Sequence, residues 1–168
     1  MELGTAIIGL ATILACIIPF VLISKSNKQR TQKIFQALSD WAAKSSCSIS
    51  KHDIWNQSAI GIDASSNMIF FYQKSGDQET RQKVNLAEVE KCLLINTSRT
   101  LKHETGEQKV IEKLELTFSH RHGKEADTSI VFFDTNSGSL TLAGELQMAE
   151  KWYKIANEGI ESFSIKHS

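Results

Sequence analysis

His120 and His122 flank Arg121 just before Gly123. Two histidines one residue apart on a strand point to the same face, a spacing that can ligate a metal. Arg121 puts a repelling charge between them, so a solvated turn is the expected reading and no metal is expected. Asp63 and Asp134 each end an apolar run. Paired carboxylates do acid–base work when a cleft holds them about 5–10 Å apart. Here each Asp stands beside Ala, Ser, Thr or Asn, as turn-starting Asp residues do. Gly61, Gly76, Gly106, Gly123 and Gly138 are scattered singly, so no phosphate loop appears, and no Ser or Cys sits in a nucleophile elbow. The residues thus point to no catalytic group, no cofactor and no enzyme. Trp55 follows a polar loop and precedes Asn56-Gln57. It is either core or a candidate partner anchor, since exposed Trp is enriched at binding hot spots.

Cys16, Cys47 and Cys92 are isolated and lack metal-ligand spacing. An odd, sparse set fits a reducing compartment better than a disulfide scaffold.

The element expected first is a membrane helix. Leu3 to Ile23 is an unbroken uncharged run, long enough to cross about 30 Å of hydrocarbon. Lys25, Lys28, Arg30 and Lys33 follow as a basic collar. The positive-inside rule then leaves the N-terminus outside and the rest cytoplasmic, in a single-pass protein of the inner (plasma) membrane. Glu2 argues against a cleaved secretory signal. Ile13-Leu14-Ala15-Cys16 resembles a lipobox, but the apolar run continues past Cys16. Small residues four apart, as at Thr5/Gly9 and Ala11/Ala15, permit close helix packing in lipid.

The nineteen Lys/Arg and nineteen Asp/Glu cancel. Without the four collar cations and Glu2, fifteen cations face eighteen anions, a balance of −3. Nucleic-acid recognition wants a concentrated basic face, so no nucleic-acid partner is expected. The collar itself is expected to meet anionic headgroups of a lipid bilayer. The boundaries read as residues 1–24 transmembrane, 25–45 a basic, amphipathic juxtamembrane helix, and 46–168 one soluble domain.

Asn27 to Lys44 lacks Gly and Pro, and Ile34, Leu38 and Trp41 recur at helical spacing. Docking of that stripe on the soluble domain is expected. From Ser45 the period changes to two. Strands are predicted near Cys47–Lys51, Ser58–Asp63, Met68–Lys74, Gln82–Leu86, Val89–Thr100, Gln108–His120 and Asp127–Asp134, joined as antiparallel hairpins. Leu142, Leu146, Ala149, Tyr153, Ala156 and Ile160 form the stripe of a final helix, widened by Met148, Trp152 and Ile155.

Seven short strands and then a helix containing Gly144-Glu145-Leu146-Gln147-Met148-Ala149-Glu150-Lys151-Trp152 resemble the pleckstrin-homology-like (PH-like) fold over Cys47 to Ile160. The layout is also similar to short single-pass proteins of bacteria. The resemblance implies an α+β chain: an N-terminal transmembrane helix, then an antiparallel sheet or barrel of about seven strands capped by a C-terminal helix. It also implies that Trp152 packs into the end of the barrel. Phosphoinositide-binding members carry several Lys/Arg in the first hairpin loop. Lys51-His52-Asp53-Ile54-Trp55-Asn56-Gln57 offers one Lys beside an Asp, so the resemblance implies a scaffold. The expected function is a membrane-anchored, non-catalytic interaction module with a protein partner. The alternatives are small-ligand or lipid-headgroup binding, or an enzyme site in the soluble domain.

Overall fold

A computed structural model describes residues 27–103, 106–121, 126–137 and 141–166. Apolar residues at helical spacing make helix α1 over 27–43. Seven antiparallel strands follow: β1 Lys51–Trp55, β2 Ser58–Asp63, β3 Met68–Ser75, β4 Gln78–Asn85, β5 Val89–His103, β6 Gly106–His120 and β7 Thr128–Asp134. A single 3-10 turn at Thr135–Ser137 precedes helix α2, Glu145–Lys166. The strands form two sheets, β1-β2-β3-β4 and β5-β6-β7.

Alternation in β2 and β3 explains the layering. Ile60, Ile62, Ile69 and Phe71 face inward and meet Leu114, Leu116, Phe118 and Ile130 of the second sheet. Ala59, Phe70 and Tyr72 face outward and are covered by Ile34, Leu38 and Ala42 of α1. The expected docking of the amphipathic helix on the domain is therefore seen. The approach is close at Gly61, where an added Cβ would lie 2.8 Å from Ile49 Cγ2 and 3.0 Å from Leu38 Cδ2. On α2, Ala149, Trp152, Ala156 and Ile160 are buried against the main core. Trp152 is fully buried, and its Nε1 donates to Asp53 Oδ2 at 2.8 Å.

The α+β class with seven antiparallel strands and a final helix is observed. The membrane-spanning part of the expected architecture is corrected. Among the described residues, no helix is long and apolar enough to cross a membrane. Helix α1 carries Lys28, Arg30, Lys33 and Asp40, whereas a spanning helix needs about 20 predominantly apolar residues. The run Leu3–Ile23, with Cys16 and the small-residue spacings, lies outside the described residues. The single-pass, inner-membrane location with its orientation therefore has no support in the structure and is withdrawn.

The first strand is also displaced. Lys51–Trp55, expected as a hairpin loop, is β1, and the turn itself is only Asn56-Gln57, with Asn56 at φ 48°. The reason is that β1 is an edge strand whose polar residues find partners on both helices. His52 packs on Phe35 of α1 in a tilted ring contact with centroids 4.2 Å apart, and Asp53 reaches Lys151 and Trp152 of α2. Residues 47–50 instead run beside the end of β2, held by Ser50 N donating to Ile62 O and Ser48 N donating to Asp63 Oδ2.

Candidate functional site

Most residues with chemical potential are engaged in structure. Asp63 is buried and accepts from Ser65 Oγ (2.6 Å), Ser48 N (2.8 Å), Ser65 N (2.8 Å) and Ser66 N (3.2 Å). The Ser65 hydroxyl first, then the Ser48 amide, hold its carboxyl well below the usual range against the opposing push of burial. Asp134 accepts from Asn136 N at 2.8 Å and starts the 3-10 turn. Ser58, near Asp134, and Asp63 stand at opposite ends of β2, about 17 Å apart at the strand rise. The two carboxylates therefore do not form an acid–base pair. His120 Nε2 lies 3.3 Å from Thr128 Oγ1, and His122 lies outside the described residues. Among the described residues, no three His, Cys, Asp or Glu side chains could hold a metal. Cys47 Sγ sits 3.3 Å from both Ser45 O and Ser66 Oγ. Cys92 is buried, which pushes its thiol up to about 12.

Trp55 is core. It stacks on Phe132 with centroids 4.8 Å apart, and its Nε1 donates to Phe132 O at 3.0 Å. Its edge lines a cleft of about 430 Å³ with Gln57, Gln73, Lys74, Phe133 and Asp134, where the ends of β1, β3 and β7 meet. As a buried side chain already hydrogen-bonded within the chain, it does not present the exposed surface that a partner anchor needs.

The collar cations separate. Lys25 lies outside the described residues. Lys28 borders a shallow depression with Phe35, His52 and Ile54. Arg30 and Lys33, three apart on α1, instead share a second cleft of about 250 Å³ with Ile34, Gln57, Tyr72 and Lys74. In the amide orientation that satisfies both its ends, Gln57 accepts from Arg30 Nη2 at 3.0 Å and donates to Lys74 O at 3.3 Å. Lys74 N also donates to Gln57 O at 2.9 Å. The turn β1–β2 thus ties the end of β3 to α1. The Tyr72 hydroxyl faces Glu79 Oε1 at 3.0 Å, and Arg81 Nη2 lies 2.8 Å from Glu79 Oε2. The Tyr72 and Arg81 bonds hold Glu79 below its ordinary value, while burial, then the Glu79 carboxylate, raise Tyr72.

The outer face of the three-stranded sheet is a second unusual surface. Pairing sets Leu93 opposite Thr117 and Ile95 opposite Glu115, alternating with the core pairs Cys92–Phe118 and Leu94–Leu116. Leu93 is 42% exposed and Ile95 38%. Lys113 Nζ and Glu115 Oε2 form an ion pair of 2.6 Å on the same face. Thr117, opposite Leu93, is buried and its Oγ1 lies 3.0 Å from Ser129 Oγ, whereas the outward face of the other sheet is covered by α1. β6 extends beyond the stretch paired to β7, so 106–111 pair with β5 alone and the hairpin extends as a two-stranded arm.

Sequence reasoning placed Leu93 and Ile95 on a strand without assigning them a role, and it did not single out Lys74. The one available signal for Lys74 was a cation ending a strand of apolar residues, which does not reveal that α1 brings two more beside it. No family model, curated protein or solved structure matches the chain.

Proposed function

We propose that this chain is a non-catalytic interaction module on a PH-like framework, and that a protein partner docks on the outer face of its three-stranded sheet. The observation that carries this reading is the exposure of Leu93 and Ile95 on a sheet whose opposite face is core. Neighbouring exposed apolar side chains with charged residues around them match the apolar centre and polar rim of an interface. The rim here holds Lys91, Lys113 and Glu115, so the fitting partner presents apolar side chains flanked by charged groups. The PH-like framework is supported by the four-plus-three strand arrangement and by Trp152 packed between α2 and the sheets.

The test compares the full chain with a Leu93→Asp/Ile95→Asp variant in quantitative co-purification, after thermal unfolding has confirmed that the variant folds. Selective loss of a co-purifying protein supports the assignment, and equal recovery sinks it. A concentration-dependent dimer of the parent chain, abolished in the variant, would replace the partner with a second copy.

A second reading, small-ligand binding, is favoured by one observation: the cation-lined cleft of Arg30, Lys33 and Lys74.

A further inference from the structure

We infer that the cleft between α1 and the end of β3 is a binding site for a phosphoryl dianion. Arg30 and Lys33 come from one helix and Lys74 from a strand about forty positions later in the chain, at loop separations the chain tolerates readily. Folding brings three like charges to one depression. Like charges held together cost free energy unless an opposite charge joins them. Among the described residues, none of the three forms an ion pair with a carboxylate. Glu79 stands directly across the strand pair from Lys74. Its two oxygens bond to the Tyr72 hydroxyl and to Arg81; it feels the charge of Lys74 but forms no ion pair with it, and neither Arg30 nor Lys33 pairs with it.

The geometry favours an oxyanion with several acceptor oxygens over a simple halide. Arg30 supplies a planar fork that suits two oxygens of one phosphoryl group, and Lys33 and Lys74 supply point charges from separate elements. Gln57 fixes the fork by accepting from Arg30 Nη2 while holding the Lys74 backbone. The site is therefore ordered before a ligand arrives, which lowers the cost of binding. Buried Ile34 and Tyr72 form an apolar wall behind the three cations, whose own side chains are exposed. A volume of about 250 Å³ is below the range usual for drug-sized ligands. It suits a phosphomonoester end with a short attached group, not a whole dinucleotide. That end can belong to a small soluble molecule or to a lipid headgroup.

The test uses the full chain at constant ionic strength set with sodium chloride. Inorganic phosphate and glycerol 3-phosphate are titrated while thermal unfolding and the phosphorus-31 line width are followed. In parallel, phosphatidylcholine vesicles with and without phosphatidic acid are tested for co-sedimentation. A saturable rise in unfolding temperature with the soluble phosphates is expected, because a ligand that binds only the folded state stabilises it. Arg30→Gln and Lys74→Gln, on two different elements, should each weaken binding about tenfold or more, as the loss of a charged hydrogen bond does. Lys154→Gln, the same charge change on exposed α2 surface, should leave binding intact. Binding to phosphatidic-acid vesicles alone, lost in the same two variants, would support the site and assign its phosphate to a lipid. Absence of saturable binding in both arms, or equal weakening by Lys154→Gln, would overturn the assignment.

Discussion

Asn157 on α2 offers its side-chain amide to both backbone groups of Cys92: Cys92 N donates to Oδ1 and Nδ2 donates to Cys92 O, each at 3.3 Å. β5 is an edge strand, and an unpaired edge is a template for adding another chain. The amide takes the place of a neighbouring strand at this one residue. It also ties the helix to the sheet at the point where α2 lies along β5.

Asn157→Ala should therefore destabilise the fold by about 1–3 kcal/mol, the cost of leaving a buried donor and acceptor without partners. Asn157→Asp keeps the acceptor for Cys92 N but sets a carboxylate oxygen against Cys92 O, so it should rescue little. Urea unfolding midpoints measure the loss. Sedimentation velocity should show the alanine variant self-associating more than the parent; an unchanged midpoint would show that the amide does not brace the edge.

Asp53 gathers a second set of contacts: Trp152 Nε1 donates to Oδ2 at 2.8 Å and Lys151 Nζ lies 2.6 Å from the same oxygen. Trp152→Ala removes both the buried ring and this bond, at an expected cost of about 3–5 kcal/mol. Trp152→Phe keeps most of the ring and loses the bond, for about 1–3 kcal/mol. The Lys151 pair is half-exposed and should contribute less, within about 1 kcal/mol. Calorimetric or denaturant unfolding of these two variants and of Lys151→Ala orders these contributions, and a Trp152→Ala cost below about 0.5 kcal/mol would place the ring on the surface.

How far these contacts were legible in the sequence depended on whether polarity marked the buried side. The stripe Ala149, Trp152, Ala156, Ile160 and the alternation of Leu114, Leu116 and Phe118 are self-contained periodic signals, and both elements form as expected. β1 was not legible, because Lys51-His52-Asp53 reads as loop until Phe35 and Trp152 supply partners from either end of the chain. β4 starts four residues earlier than its apolar pattern suggests, since Gln78–Arg81 pair with β3 while remaining exposed. The continuous run Cys92-Leu93-Leu94-Ile95 marks a strand but not which face stays uncovered. The cation cleft depends on the rotation of α1 about its axis, which the burial of Ile34, Leu38 and Ala42 sets, and on the end of β3 lying beside it.

Asp63 makes folding stability depend on acid. Its folded value is lowered from 3.8, chiefly by the Ser65 hydroxyl and the Ser48 amide. A group depressed in the folded state stabilises it above the unfolded value, and the contribution is lost as pH falls through the folded value. Stability should therefore decline as pH drops below about 4, and Asp63→Asn should flatten that part of the profile. The variant should also be less stable at pH 7, because the amide accepts fewer of the four donors. Urea midpoints from pH 2 to pH 7 for both proteins check the sign; parallel profiles would remove Asp63 from the acid response.

Cys92 and Cys47 should report folding through their reactivity. Burial pushes the Cys92 thiol up to about 12, and the thiolate is the reactive form. At pH 8 the folded chain should leave Cys92 unmodified by iodoacetamide while urea-unfolded protein is alkylated there. Peptide mass mapping distinguishes it from half-buried Cys47. Rapid native labelling of Cys92 would mean that α2 leaves β5 readily, contrary to its Asn157 contacts.

Gly61 sets how closely α1 approaches the four-stranded sheet. A Cβ there would meet Ile49 Cγ2 at 2.8 Å and Leu38 Cδ2 at 3.0 Å, so Gly61→Ala forces two packed side chains to move. Overpacking of this kind costs about 1–3 kcal/mol. The strain falls on the layer between α1 and the sheet, not on the core that holds Trp152. Amide hydrogen exchange should therefore accelerate across 27–43 and change little in α2. Because Arg30 and Lys33 ride on α1 while Lys74 does not, the same substitution should weaken phosphate binding without touching a cation. Faster exchange spread evenly over both helices would mean that α1 and the core unfold as one unit, and the layered account of the fold would fail.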